Sequence, residues 1–163
     1  MGIEDAVAAE ISLTVDDKRY EFAPLTVRAW GRLVRWAQDE YLATAMSAAA
    51  AVPDVGLRQE LIDRALVFVG RVSLTARETD REGFDAFTRQ LSGISGVRQT
   101  ISESLLCAKR TGSYQKTAIT DDFVDELFGR IKGAGKLPEI IDRIFAASGI
   151  KEEPGKNQAG APA

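Results

Sequence analysis

The first regular element that the hydrophobic pattern predicts is a β-hairpin near the start of the chain. Apolar and polar residues alternate from Ile11 to Val15, and the alternation resumes at Tyr20 and Phe22. Such alternation is typical of half-buried strands, because successive side chains point to opposite faces of a sheet. Residues 16–19 (DDKR) predict a type I turn between the strands. A two-stranded ribbon alone is marginally stable in water, so we expect it to pack on other elements.

Two helices are predicted after the hairpin. Thr26 is a good N-cap for a long first helix, and Pro53 with Asp54 separates that helix from the second. The apolar stripe of the first helix is Val27, Trp30, Leu33, Val34, Ala37 and Tyr41. The second helix has a broader apolar face, which predicts that it is well buried. This face is Leu57, Leu61, Ala65, Phe68, Val69 and Val72.

Shorter helices are predicted over the rest of the chain. Asp80 and Thr120 are candidate N-caps, residues 92–96 (SGISG) predict a break or kink, and Gly149 follows the last helix. The expected fold class is mainly α, with about five to six helices and a short N-terminal β-hairpin. We predict three regions: a leader at 1–10, a hairpin-plus-helical domain at 11–150, and a disordered polar tail at 151–163. The tail has no aliphatic residue larger than alanine, so it cannot offset the entropy of ordering.

Composition removes several classes of chemistry. The 163 residues include no histidine, so the commonest general base and zinc ligand are absent. Cys107 is the single cysteine, which excludes an intrachain disulfide and a CxxC metal knuckle. The sequence contains no recognisable set of catalytic, cofactor-binding or metal-binding residues, so we expect a protein that is not an enzyme and needs no cofactor. We expect Cys107 to be a small buried residue of the core.

Charge and hydropathy bear on partners and location. The net charge of −3 argues against binding nucleic acid through bulk charge. Residues 1–5 (MGIED) lack the basic region of a secretory signal, and the uncharged stretch 41–53 is too short to cross a bilayer. We therefore expect a cytoplasmic protein that binds neither membrane nor nucleic acid. Self-association stays open.

Two segments superficially resemble functional motifs. Residues 129–136 (GRIKGAGK) contain glycines and a lysine, but their spacing does not fit a phosphate-binding loop and a predicted helix precedes them. We interpret them as a helix terminator. The acidic residues of 121–126 fit the first turn of a helix, where carboxylates complement the helix dipole, and we do not interpret them as a cation site.

A candidate partner-binding surface lies at the start of the first long helix. Arg28, Arg32 and Arg35 share one helical face, whereas Trp30 and Trp36 are separated by about 240° beyond one full turn. Both indoles cannot lie on one narrow stripe, so we expect one of them near the surface. Aromatic residues beside arginines are typical of interface hot spots. The alternatives, a solvated arginine face and an indole covered by the ribbon, stay open.

The order of elements resembles the small tail assembly chaperones of long-tailed bacteriophages and related prophages. The segment 11–33 (ISLTVDDKRYEFAPLTVRAWGRL) is similar to the start of those proteins, and 118–163 is similar to their last helices and polar tail. The resemblance implies a mostly helical protein that acts in the bacterial host cytoplasm. It implies two partners: the tape measure protein, which the chaperone binds and keeps in solution, and the tail tube protein, which it helps to recruit.

Two other classes of function stay open. One is a structural subunit of the virion, such as a tail completion or connector protein, which would persist in purified particles. The other is a small intracellular helical enzyme that acts through carboxylates or lysines. An enzyme of this kind predicts a cleft with converging polar groups and strongly perturbed pKa values.

Overall fold

The computed structural model describes residues 11–74 and 78–149, in which one β-hairpin precedes six α-helices. The strands are β1 (Ile11–Val15) and β2 (Lys18–Phe22). The helices are α1 (Val27–Ala50), α2 (Val55–Val69), α3 (Arg81–Ser92), α4 (Ile94–Arg110), α5 (Asp121–Gly133) and α6 (Leu137–Ala147). The expected fold class, mainly α with an N-terminal hairpin, is confirmed. The predicted leader at 1–10 and the predicted tail at 151–163 lie outside the described residues.

The described residues form two compact units. The hairpin unit consists of residues 11–26 and 104–149, and the central unit consists of residues 27–74 and 78–103. The boundary between them falls within α4, after Glu103. The hydrophobic pattern does not indicate this division, because α4 is continuous in sequence and in helical periodicity.

The hairpin has a tighter turn than the sequence predicts. β1 and β2 pair antiparallel with Val15 opposite Lys18, so only Asp16 and Asp17 form the loop. Both aspartates have positive φ, 50° and 60°, as a type I′ turn requires. The predicted four-residue type I turn is therefore wrong. Type I′ turns match the right-handed twist of paired strands, and aspartate tolerates the left-handed region better than most residues.

Side chains of the hairpin unit form hydrogen bonds with backbone groups on the outer edges of both strands. Arg143 donates to the carbonyl oxygen of Ser12 at 2.7 Å, and Lys136 donates to that of Thr14 at 3.1 Å. On β2, the hydroxyl of Tyr114 accepts from the backbone N–H of Glu21 at 2.7 Å and lies 3.0 Å from its carbonyl oxygen. Covered strand edges resist the addition of another strand.

The chain after β2 is fixed by two serine hydroxyls within the same unit. The Ser104 hydroxyl accepts from the Ala23 N–H at 3.1 Å and donates to the Ala23 carbonyl at 2.7 Å. The Ser148 hydroxyl accepts from the N–H of Leu25 at 2.8 Å. Cys107 is buried, as predicted. These bonds satisfy backbone groups that strand pairing leaves without a partner.

Several local predictions of helix ends are confirmed. Asp54, Asp80 and Thr120 each accept a hydrogen bond from the backbone N–H three residues later, at 2.7, 3.1 and 3.2 Å. α3 ends at Ser92 and α4 begins at Ile94, so the predicted break is present. Such side-chain caps satisfy donors that every helix leaves free in its first turn.

The buried stripe of α1 differs from the predicted stripe. Burial recurs at four-residue steps at Ala29, Leu33 and Ala37, whereas Val27 is 89% exposed. Trp30, Val34 and Tyr41 are partly exposed. The prediction is wrong at these positions because it weighted large apolar residues over alanines.

The predicted deep burial of α2 is also wrong. Ala65 is the only residue of this helix that is fully buried. Four apolar residues of α2 are instead largely exposed: Val55 at 73%, Leu57 at 48%, Leu66 at 50% and Val67 at 80%. The helix is apolar on more of its circumference than the central unit covers.

Candidate partner-binding surface

The five predicted partner-binding residues lie in the first ten residues of α1. Arg28 and Arg35 are exposed, and Trp30 and Trp36 are both partly exposed, so neither indole belongs to the fully buried core. At about 100° per residue, Trp36 is about 40° from Arg32 around the helix, whereas Trp30 is about 160° from it. Trp36 therefore lies beside the arginine face and Trp30 lies on the other side.

Arg32 differs from the other two arginines because it is engaged within the central unit. Its Nε lies 3.1 and 2.8 Å from the two carboxylate oxygens of Glu103, and its NH2 group donates to one of them at 2.6 Å. The Glu103 side chain is only 4% exposed, against 37% for Arg32. This geometry is that of a forked arginine–carboxylate pair. Arg32 thus has a structural role that the sequence did not indicate.

A concave groove lies between α1 and α2 in the central unit. Its volume is about 990 Å³ and it is open to solvent. The α1 side is lined mainly by Tyr41, Ala45, Ala48 and Ala49. The α2 side includes Glu60, Arg64, Val67 and Phe68. Small side chains on one helix and a mixed apolar and charged surface on the other define this groove, which we call the α1–α2 groove.

The position of α2 against α1 is set by contacts at both ends of the pair. At the connection between the helices, Arg58 donates to the Val52 carbonyl at 3.1 and 2.8 Å. At the other end, Gln38 donates to the Val72 carbonyl at 3.0 Å. Between these points the rings of Tyr41 and Phe68 lie 5.2 Å apart. These contacts pre-form the groove rather than leaving it to a ligand.

Charged side chains line the α2 side of the groove. Glu60 and Arg64 form an ion pair one turn apart on α2, and Gln59 donates to Asp63 at 2.9 Å. Along the chain, the acidic groove residues Glu60 and Asp63 come first, and the basic residues Arg64 and Arg71 follow them. The rim therefore changes sign along the helix axis.

Arg71 closes one end of the groove. Its guanidinium lies 4.7 Å from the centre of the Phe68 ring and donates to Asp80 at 2.6 and 2.8 Å. The hydrogen bond from Arg71, followed by the one from the Gly83 N–H, lowers the pKa of Asp80 to about 2. The same interaction raises the pKa of Arg71. Asp80 thus caps α3 and neutralises an arginine at once.

A second, smaller cavity belongs to the hairpin unit. Its volume is about 220 Å³, and its lining includes Lys18, Tyr20 and Phe123. Nearby in the same unit, burial raises the pKa of Tyr114, which is occupied by its bonds to Glu21. This cavity is too small for a typical small-molecule ligand, whose sites measure about 300–1,000 Å³.

Residues 11–74 and 78–149 show neither a metal-ligand cluster nor a membrane-spanning helix. In these ranges no three cysteine, aspartate or glutamate side chains come together as a metal-ligand set. None of the described helices is both long enough and apolar enough to span a membrane.

The α1–α2 groove is the feature that sequence reasoning missed. A signal was present: Leu66 and Val67 lie outside the predicted apolar face of α2, so that helix is apolar on more than one side. The alanine-rich run 48–51 gave a second signal, because small residues allow close approach of another helix. Comparison of the chain with models of known protein families, with curated proteins and with solved structures finds no match.

Proposed function

We propose that the protein is a non-enzymatic tail assembly chaperone of a long-tailed bacteriophage or related prophage. In this role it binds and keeps in solution the tape measure protein, and helps to recruit the tail tube protein, in the bacterial host cytoplasm. The observation that carries the proposal is the α1–α2 groove together with the exposed apolar residues of α2. An apolar surface of this kind on a small protein is typical of a partner-binding site.

The groove suits an amphipathic helix better than an extended strand. α2 has 15 residues and is therefore about 22 Å long, which matches four turns of a partner helix. The alanines at 45, 48 and 49 provide an apolar wall without large side chains in the way. Strand addition is less suitable, because side chains cover the outer groups of the hairpin.

The charges of the rim also suit a helix with an amphipathic pattern. Glu60 and Arg64 lie on the α2 side of the groove and carry opposite charges one turn apart. A partner helix whose apolar stripe enters the groove would place its own polar residues beside these charges. Tape measure proteins, as the family resemblance implies, are long helical chains with exposed apolar seams. The chemistry of the groove thus supports this partner over a uniformly charged one.

The test uses purified protein and a fragment of the tape measure protein from the same genome. Val67→Glu places a charge on the groove at a position that is 80% exposed, so folding is unaffected. Ile94→Glu is the matched control, because Ile94 is 65% exposed in the same unit and does not line the groove. Burial of one valine contributes about 1.5 kcal/mol, so we expect Val67→Glu to weaken binding at least about tenfold and Ile94→Glu to leave it unchanged.

Two results would contradict the proposal. One is equal affinity of the wild-type protein and the folded Val67→Glu variant for the fragment. The other is persistence of the protein in purified virions at the abundance of a structural subunit, which would favour a tail completion or connector protein. Arg28, Arg35 and Trp36 on one side of α1, with Trp30 on the other side, stay a predicted second contact. Arg35→Glu with Trp36→Ala tests it while leaving the Arg32–Glu103 pair in place.

A further inference from the structure

We propose that in the free protein the groove face of α2 is covered by α2 of a second copy, packed antiparallel about a two-fold axis. The proposal concerns self-association and does not depend on the chaperone function. It rests on the distribution of charge and side-chain size along one face of this helix.

The relevant residues lie on one line of α2. At about 100° per residue, Gly56, Glu60, Arg64 and Val67 fall within an arc of about 80° on the side away from buried Ala65. Their spacings of four, four and three residues are those of a helix–helix contact face. All four line the groove. A partner helix that lies along this face would therefore meet all of them.

Charge selects the direction of that partner helix. The carboxylate of Glu60 precedes the guanidinium of Arg64 by one turn. A parallel second copy would set Glu60 against Glu60 and Arg64 against Arg64. An antiparallel copy sets Glu60 of each chain against Arg64 of the other, and makes two equivalent ion pairs by symmetry. Like-charge contacts disfavour the first arrangement.

The same register also matches side-chain sizes. When Glu60 lies opposite Arg64 of the other copy, Val67 lies opposite Gly56 and Leu57 of that copy. Val67 is 80% exposed and Leu57 is 48% exposed in the single chain. Gly56 has no side chain, so the two backbones can approach closely at this point. Because the dimer is symmetric, Val67 of each copy is covered by Gly56 and Leu57 of the other copy. Charge pairing and apolar burial therefore favour one register.

Oligomeric state is measured by sedimentation at about 100 μM, a concentration that saturates a dimer of micromolar Kd. We expect a dimer for the wild-type chain and for the Ile94→Glu control. We expect Glu60→Arg alone and Arg64→Glu alone to be monomeric, because each sets like charges against each other at positions 60 and 64 of the two copies. Mixing these two variants should restore a dimer, since one then carries two positive charges and the other two negative charges at these positions.

The antiparallel direction of the two α2 helices is tested by cross-linking. Oxidation of a mixture of Gly56→Cys and Val67→Cys chains should give a disulfide-linked heterodimer, and neither variant alone should cross-link. Native Cys107 is 2% exposed and therefore does not interfere. A monomeric wild-type chain at about 100 μM would overturn the proposal, as would a mixture of the charge variants that stays monomeric or self-cross-linking of Val67→Cys alone. A monomer that still binds the tape measure fragment would leave the proposed function intact.

Discussion

Replacement of Arg32 by alanine is the sharpest test of the central unit, because it leaves a buried carboxylate without its partner. Glu103 is 4% exposed, and Arg32 supplies its hydrogen bonds from Nε and NH2 at 2.6 to 3.1 Å. In the Arg32→Ala variant the carboxylate must either remain buried without these hydrogen bonds or move to water. Each of these responses costs free energy of folding.

The magnitude follows from the exposure of the two side chains. Removal of one partner from a fully buried ion pair costs about 3–5 kcal/mol. Arg32 is 37% exposed, so water reaches the space that it leaves, and we expect a loss of about 2–3 kcal/mol. For a chain of this size that loss lowers the Tm by about 5–10 °C. Arg35→Ala is the matched control, since Arg35 is exposed on the same face and such changes stay within about 0.5 kcal/mol.

The assay is urea and thermal unfolding of four chains: the wild type, Arg32→Ala, Arg35→Ala and the double variant Arg32→Met/Glu103→Leu. Replacement of both partners by apolar residues removes the stranded charge, so the double variant should recover most of the lost stability. The reasoning is refuted if Arg32→Ala and Arg35→Ala unfold together. It is equally refuted if the double variant is less stable than Arg32→Ala, because the carboxylate would then not be the source of the cost.

Two further predictions concern the region around Arg71. The folded-state pKa of Asp80 is about 2, below its ordinary value of 3.8, so the bond with Arg71 stabilises the fold above pH 3.8 and this contribution disappears as the pH falls toward 2. The Tm difference between the wild type and Asp80→Asn should therefore be present at neutral pH and shrink between about pH 4 and pH 2. A Tm difference that stays constant over this range would contradict the prediction. A Cβ at Gly83 would overlap the Arg71 carbonyl, so Gly83→Ala should lower the free energy of unfolding in urea by about 1–3 kcal/mol. Gly129→Ala has open space around its added methyl and should instead raise the free energy of unfolding by up to about 1 kcal/mol. Equal effects of the two substitutions would contradict the close approach at Gly83.

Local signals in the sequence predict the elements well. Asp54, Asp80 and Thr120 were identified as helix starts because a capping side chain acts within three residues of its own position. The alternation that begins at Ile11 likewise depends only on neighbours in sequence. Hairpin, helix order and the break after Ser92 therefore follow from pattern alone. The tight turn at residues 16–17 did not, because two consecutive aspartates in the left-handed region are an uncommon choice for it.

Burial and pairing were harder to predict, because they depend on residues far apart in the chain. Arg32 and Glu103 are separated by 71 residues, and nothing near either one indicates the other. The exposed side of α2 depends on which neighbour covers it, and its apolar composition fits deep burial and partner binding equally well. Of the predicted partner-binding residues on α1, Arg28 and Arg35 are exposed, whereas Arg32 pairs with Glu103 within the fold. Its role in binding stays a prediction.

The two candidate surfaces of the central unit occupy different lengths of α1. This helix has 24 residues and is about 36 Å long, whereas α2 is about 22 Å long and begins five residues after α1 ends. α2 runs back along α1 from that connection and therefore covers the second half of α1. Just after α2, the carbonyl of Val72 accepts a hydrogen bond from Gln38 of α1. The predicted patch at 28–36 therefore lies beyond the end of α2, and the groove begins at Tyr41. Trp36 lies about 7.5 Å along the helix from Tyr41, where the groove begins, and about 13 Å from Ala45, and only the second distance exceeds the range over which substitutions usually couple. Substitutions at Trp36 and at Ala45 can therefore test the two proposed surfaces separately, whereas a substitution at Tyr41 is close enough to Trp36 to affect both.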